Sequence, residues 1–359
     1  MVRNKIKTRR SLENFTFVIP FLIFYVVFLL YPVIQAVLMS FFDWDLLGSK
    51  REFIGTRNYS QMLWGSNITW DLSHQVILRA ALLLIGILVL VSSIKKRTLR
   101  SGELLLSMSL ILLSVLLGIH PGEGGSWNDP RFWNAFRNTV VFTVVSTPII
   151  SGLGLLFALL LQSEKKTTPL YRAALFIPYV LPVSVATLIW GYFLNPSRGL
   201  VAKLSEAFGE EPIAWLSDPR FAMGAIIVTT VWWTVGFNMI LFGAGLQDID
   251  PSLYEAARID GASRIQQFRY ITLPSLKSTT LLIVVTQVIA SFQIFGQVNI
   301  MTSGGPGGTT DVLVRYIYQT GFRDTQLGYA AAMSLFLFVV MVLVSLIQFL
   351  ISREKNEVK

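Results

Sequence analysis

The chain has 359 residues, of which 53% are apolar and 14% charged, and it contains no cysteine. That balance excludes an ordinary water-soluble domain, and the missing thiol excludes disulfides, thiolate metal sites and cysteine nucleophiles. The formal net charge of +9 invites a nucleic-acid reading, but the cations cluster between long apolar runs, so the basic balance reads as membrane topology and no nucleic-acid partner is expected.

A run of about 20 apolar residues crosses the ~30 Å hydrocarbon layer as a helix, which satisfies every backbone amide internally. Eight runs meet that description in chain order: 16–40, 76–94, 103–119, 139–161, 173–194, 222–244, 277–299 and 331–351. The first follows a basic segment, Arg3 to Arg10. It is too long for a removed signal peptide and lacks a small-residue cleavage site, so it reads as a retained span. The third is the shortest of the eight. The expectation is an all-α polytopic membrane protein with about eight transmembrane helices.

The loops orient it. One face holds the Arg3–Arg10 cluster, then Lys95, Lys96, Arg97 and Arg100, then Lys165, Lys166 and Arg172. It continues with Arg258, Arg264, Arg269 and Lys277, and ends with Arg353, Lys355 and Lys359. The opposite face has about half as many, so the rich face and both termini are assigned to the cytoplasm. Arg79, in the outer turn of the second span, is expected to snorkel outward. His74 and His120 are isolated near outer membrane boundaries and read as interfacial residues rather than metal ligands.

No GxxxxGK[ST], GxSxG, HExxH or GxGxxG occurs, so neither an ATPase site nor a catalytic, cofactor or metal centre is expected. Carboxylates are almost absent from the spans, and no internal repeat of broken helices is evident. Both facts weigh against an ion-coupled secondary transporter. Any energy source for transport belongs to another subunit.

The most informative stretch, residues 250–274, connects the sixth and seventh spans. Asp250 is a good helix N-cap with Pro251 at the first helical position. Gly261 suits the left-handed conformation that ends such a helix. Ser263 with Gln266 forms a capping-box pattern for a second helix, and Pro274 marks the turn toward the membrane. Two short helices around a hinge make a rigid docking knob, with Ala256 and Ala257 permitting close approach by another protein.

The spacing of Glu255-Ala256-Ala257, Gly261, Ile271, Leu273 and Pro274 resembles the EAA motif of binding-protein-dependent ABC transporter permeases, and Asp260 before the glycine is similar to the carbohydrate-uptake branch. The resemblance extends over 129–351, including Asn134 to Thr139, FIPYVLP at 176–182 and GGPGGTT at 304–310. That last run is similar to the larger of the two permease types. The resemblance implies a type I ABC importer permease fold in a bacterial or archaeal cell membrane. It also implies a second homologous permease, two ABC ATPase subunits and an extracytoplasmic solute-binding protein. Glu255, Ala256, Ala257, Asp260 and Gly261 would then contact the ATPase subunit. The solute would be a sugar or oligosaccharide, with glycerol phosphate or another polyol derivative as the alternative.

Intramembrane polar groups mark a candidate solute path. Thr230, Trp233, Thr234 and Phe237 recur at helical spacing with Asn238 adjacent. Gln287 and Ser291 lie on a face that continues to Ile294, while Gln293 and Gln297 lie on another side. The first face coincides with sugar-lining positions in similar permeases, and amides, hydroxyls and aromatic faces suit sugars. Gly304, Gly305, Pro306 and Gly307 read as an outer loop facing the binding protein, followed by Tyr316, Tyr318 and Phe322.

The domain reading is a cytoplasmic segment (1–15), a first span with outer loop (16–63), an inserted two-helix membrane hairpin (64–128), the permease core (129–352) and a cytoplasmic tail (353–359). The insertion splits the family's usual outer tract. Leaving and re-entering on one face requires an even number of crossings, which two spans around the basic Lys95–Arg100 turn provide.

Overall fold

The computed structural model describes residues 18–48, 51–66, 76–95, 107, 110, 114, 126–162 and 166–353. In chain order the helices are α1 (Val18–Met39), α2 (Arg57–Leu63), α3 (Val76–Lys95), α4 (Pro130–Leu160), α5 (Thr168–Val180), α6 (Val183–Phe193) and α7 (Leu200–Ala207). They continue with α8 (Ala222–Gln247), α9 (Pro251–Ile259), α10 (Arg264–Gln267), α11 (Lys277–Phe292), α12 (Gly296–Met301), α13 (Leu313–Tyr318) and α14 (Leu327–Arg353). There are two short antiparallel strand pairs, Phe42–Trp44 with Arg51–Phe53 and Gly65–Ser66 with Ser126–Trp127.

Among the described residues, five helical stretches are long and apolar enough to cross a membrane: Val18–Met39, Pro130–Leu160, Ala222–Gln247, Lys277–Met301 and Leu327–Gln348. They coincide with five of the expected spans, and α3 falls on a sixth. The span expected at 103–119 lies outside the described residues apart from Ser107, Leu110 and Ser114. The Arg3–Arg10 segment, Lys96 to Arg100, Lys165, His74, His120 and the tail beyond Arg353 also lie outside them.

The run 173–194 is not one straight helix. Helices α5 and α6 meet at 101°. Pro182 lacks an N–H and crowds the residue before it, so Leu181 is extended at φ −69°, ψ 138°, and Pro178 has already removed one helical hydrogen bond. The apolar pattern runs through this corner unbroken, which is why periodicity alone reads a straight helix.

The chain divides into two compact units, residues 1–64 with 317–338 and residues 65–316 with 339–359. In the first, no residue of α1 is buried, as expected of an apolar surface that meets lipid. The strand pair beyond it is in register Phe42↔Phe53 and Trp44↔Arg51. Arg51 lies 4.4 Å over the Trp44 ring, and Asn58 Nδ2 donates to the carbonyls of Ser40 and Phe42.

In the second unit α4 begins nine residues before the expected span. Asp129 caps it by accepting from the Phe132 amide at 2.9 Å, with Pro130 at the first position. Helix α8 packs against α4 and α5. It crosses α5 at Gly236, where a Cβ would lie 2.0 Å from the Leu175 carbonyl oxygen. Apolar cores form near both ends of the bundle. One holds Ala158, Met239, Phe242, Leu276 and Ile283, the other Phe142, Ile226, Ile294, Val298 and Val312.

Arg79 does not simply reach outward. Its Nε donates to the Ser114 carbonyl at 3.0 Å while Ser114 Oγ donates to the Arg79 carbonyl at 2.9 Å. Ser107 and Ser114 are both buried. Small hydroxyl residues at such a contact let membrane helices approach closely.

Candidate functional site: a helix–turn–helix knob and an intramembrane polar face

The stretch 250–274 folds as its local chemistry dictates. Asp250 Oδ1 accepts from the Ser252 amide at 2.9 Å, and Pro251 opens α9. At the other end Gly261 has φ +76°. Its amide bonds the Arg258 carbonyl, and the Ala262 amide reaches back to Ala257 at 2.8 Å, so the last turn closes in the Schellman pattern. The reciprocal Ser263–Gln266 capping box is present at α10. The two arms are tied by the Tyr254 and Thr272 hydroxyls at 2.9 Å, and Tyr254 and Ile271 pack onto the core formed by Met239, Phe242 and Leu246.

A knob fixed at its base therefore presents Glu255, Ala256, Asp260 and Gly261 to solvent, while Ala257 is half-buried. The sequence reading missed three bulky residues of the same surface: Ile259, Ile265 and Tyr270 are 88%, 79% and 70% exposed. Large apolar groups left in water outside the spans mark an interaction surface. Their sequence signal was simple, since they are apolar positions in an otherwise polar loop.

Amide donation to Asp250 holds its carboxyl below the usual carboxylate range. Its cap therefore stabilises α9 above the ordinary carboxylate pKa and is lost as pH falls through the lowered value. Asp250→Ala is expected to fray the first turn at neutral pH, whereas Asp250→Asn keeps a capping oxygen. Hydrogen exchange at the Ser252 to Tyr254 amides reads the difference: faster in the alanine variant and little changed in the asparagine variant.

The intramembrane set divides into two groups. Asn238, Gln287 and Ser291 are buried and bonded to one another: Asn238 Nδ2 donates to Gln287 Oε1 at 3.3 Å and Gln287 Nε2 to Ser291 Oγ at 3.4 Å. Ser291 Oγ also meets Ser146 and Thr147 on α4. Thr230 and Thr234 donate to the carbonyls of Ile226 and Thr230, one turn back. Ile294 lies in an apolar core, because the helix breaks at Gln293 and the phase carried from Ser291 is lost.

Trp233, Thr234 and Phe237 are half-buried, and they meet a residue the sequence reading did not single out. Tyr179 of α5 stacks on Phe237 with ring centroids 4.6 Å apart at 12° and lies 6.3 Å from Trp233. Trp233 Nε1 donates to the Leu181 carbonyl at the α5–α6 corner. The bend thus positions an aromatic platform beside a seam of amides and hydroxyls.

At the other end, Gly304 to Gly307 form a loop that is tied down. Asn134 and Asn138 of α4 both donate to the Gly308 carbonyl, at 2.8 and 3.0 Å. Asp311 is buried between Arg131 and Arg315, at 2.9 and 2.6 Å.

A bundle of long apolar helices that carry buried polar side chains defines a polytopic membrane protein. Residues 128–356 match the model of the family described as "Binding-protein-dependent transport system inner membrane component"; the chain belongs to that family and is a membrane permease of an ABC transport system. It is 28% identical over 338 residues to the probable ABC transporter permease protein YurN of Bacillus subtilis (strain 168), spanning 93% of this chain and 94% of the relative. It is 36% identical over 264 residues to the lactose transport system permease protein LacF of Rhizobium radiobacter, spanning 68% and 88%. In fold it is similar to a chain from the crystal structure of a bacterial ABC transporter involved in the import of the acidic polysaccharide alginate. The TM-score is 0.70 at 20% identity, over 99% of this chain and 100% of that one.

Proposed function

We propose that this chain is one permease half of an importer for a neutral sugar or oligosaccharide. An extracytoplasmic binding protein delivers the solute, a second homologous permease completes the path, and two separate ATPase subunits hydrolyse ATP. The chain itself carries out no covalent chemistry. In this reading the knob formed by α9 and α10 is cytoplasmic, as are both termini, and Glu255, Ala256, Ala257, Asp260 and Gly261 seat it in a cleft of the ATPase subunit. The loop at Gly304 to Gly307 faces the binding protein, and 64–128 is an inserted membrane hairpin outside the permease core.

The observation that carries the solute class is the platform of Tyr179, Phe237 and Trp233 beside Thr234 and the amides of Asn238 and Gln287. Sugar C–H faces stack on rings, and sugar hydroxyls need neutral donors and acceptors. Helix α8 carries no cation, and Arg131, Arg137 and Lys277 of α4 and α11 lie within about two turns of a helix N-terminus, while Arg172 of α5 lies about two turns from Tyr179 with one N–H on the Leu161 carbonyl. A buried phosphate calls for a cationic partner, so this half of the path favours a neutral solute over a polyol phosphate. The relatives' names do not choose between the two classes: LacF is named for lactose and UgpA of Brucella for sn-glycerol 3-phosphate, each 36% identical.

The test is hydrolysis by the reconstituted complex with binding protein loaded with neutral saccharides or with a polyol phosphate. Stimulation by the neutral saccharide is expected, and stimulation by the phosphate compound alone contradicts the proposal. Tyr179→Ala is expected to lower uptake by about tenfold with basal hydrolysis unchanged, the size of one stacked ring contact.

A further inference from the structure

A groove at the knob end of the spans is used by none of the functions above. Helices α5 and α8 touch at Gly236, and on the knob side of that contact a space of about 550 Å³ lies between α4, α5, α8 and the start of α9. A smaller space of about 200 Å³ adjoins it along α8 beside Met239 and Ile240. The floor is made by small and apolar groups, Ala158, Gly243 and Leu246, and the rim carries Arg172, Gln162 and Gln247.

We propose that this groove is a binding site for an anionic phospholipid of the cytoplasmic leaflet, its phosphate at Arg172 and an acyl chain along the Gly243 face of α8. The inference rests on the orientation proposed above, which makes this end cytoplasmic. Charge complementarity carries the choice of occupant. Arg172 spends one N–H on the Leu161 carbonyl at 2.7 Å, and a guanidinium has five donors, so several remain for a phosphate. Thr168 and Pro169, at the N-terminus of the 13-residue α5, line the same rim, and the positive end of a helix dipole favours an anion there.

Asp248 and Asp250, the carboxylates of the adjoining loop, are exposed and do not line the groove. A soluble anion would leave the apolar space beside Met239 and Ile240 in contact with water, whereas an acyl chain covers it. Basic pockets between helices at the cytoplasmic side are a recurrent form of phospholipid recognition. Tyr254 and Pro251 form one wall, so an occupant would brace the base of the proposed coupling helix.

Native mass spectrometry of the whole complex, released from membranes containing phosphatidylglycerol and phosphatidylethanolamine, tests the assignment. The wild type is expected to retain phosphatidylglycerol through delipidation, and Arg172→Gln to lose one molecule per complex. Gly243→Leu is expected to lose the same molecule by filling the groove; a Cβ at Gly243 meets nothing within 4 Å, so this variant guards against misfolding of the first. An unchanged phosphatidylglycerol count in both variants would overturn the proposal. So would equal retention of phosphatidylethanolamine, or displacement of the lipid by inorganic phosphate. The readout is lipid mass and not hydrolysis, so its failure is separable from failure of the coupling or solute assignments.

Discussion

Gly236→Ala is expected to destabilise the bundle strongly. The new Cβ would lie 2.0 Å from the Leu175 carbonyl oxygen, 2.7 Å from its carbon and 2.8 Å from the Phe176 Cα. All three are backbone atoms, so no rotamer change relieves the clash, and α5 must move off α8. Overpacking in a core typically costs about 1–3 kcal/mol, and a backbone-to-backbone contact belongs at the upper end or above it. Because α5 leads into the corner at Leu181 and carries Tyr179, its displacement also separates Tyr179 from Phe237. Gly243→Ala is the control. It lies two turns along the same helix with open space around it, and Ala is favoured over Gly in a helix interior by about 1 kcal/mol. Thermal unfolding of the purified complex should show a marked drop for the first variant and none for the second.

Asp311→Asn is expected to release the loop at Gly304 to Gly307. Asp311 is 3% exposed and takes charge-assisted bonds from Arg131 Nε and Arg315 Nη1. The Arg315 side chain is itself only 11% exposed, so neutralising the carboxylate leaves a buried cation uncompensated, at about 3–5 kcal/mol for the removal of one partner. The loss spreads through the neighbours. Asn138 bonds the Asp311 carbonyl as well as that of Gly308, and Arg131 lies 4.4 Å over the Tyr316 ring, whose hydroxyl donates to Asp129 at the cap of α4. The expected results are a lower unfolding temperature and faster proteolysis between Gly304 and Thr310.

These two sites show where sequence reasoning reaches and where it stops. The knob was legible almost residue by residue, because caps, a left-handed glycine and a capping box are decided within four or five positions. Asp250, Gly261, Ser263 and Gln266 each behave as their local chemistry requires. The long spans were legible for a different reason, since crossing lipid imposes length and apolarity on a continuous segment. What escaped depended on distance in sequence. The pairing of Asp311 with Arg131 joins residues 180 positions apart, and nothing local in GGPGGTT announces it. The need for glycine at 236 comes from the backbone of α5, and the partnership of Tyr179 with Phe237 from a corner whose two prolines were outvoted by unbroken hydrophobicity. Ile294 marks another limit, since helical phase carried from Ser291 does not continue past the break at Gln293, and the residue packs in an apolar core.

The central claim, that the α9–α10 knob couples an ATPase to the transport path, is tested most directly by Glu255→Lys. Glu255 is exposed, its side chain makes none of the bonds described for the knob, and it lies on a different helix from Tyr179, Trp233 and Phe237. The measurement is binding-protein-stimulated ATP hydrolysis by the reconstituted complex, wild type against variant, with membrane insertion and subunit pairing checked in parallel. Collapse of the stimulated rate in a variant that still inserts and pairs is the predicted result. Hydrolysis, stimulation and uptake all equal to wild type would contradict it and remove Glu255 from the coupling surface.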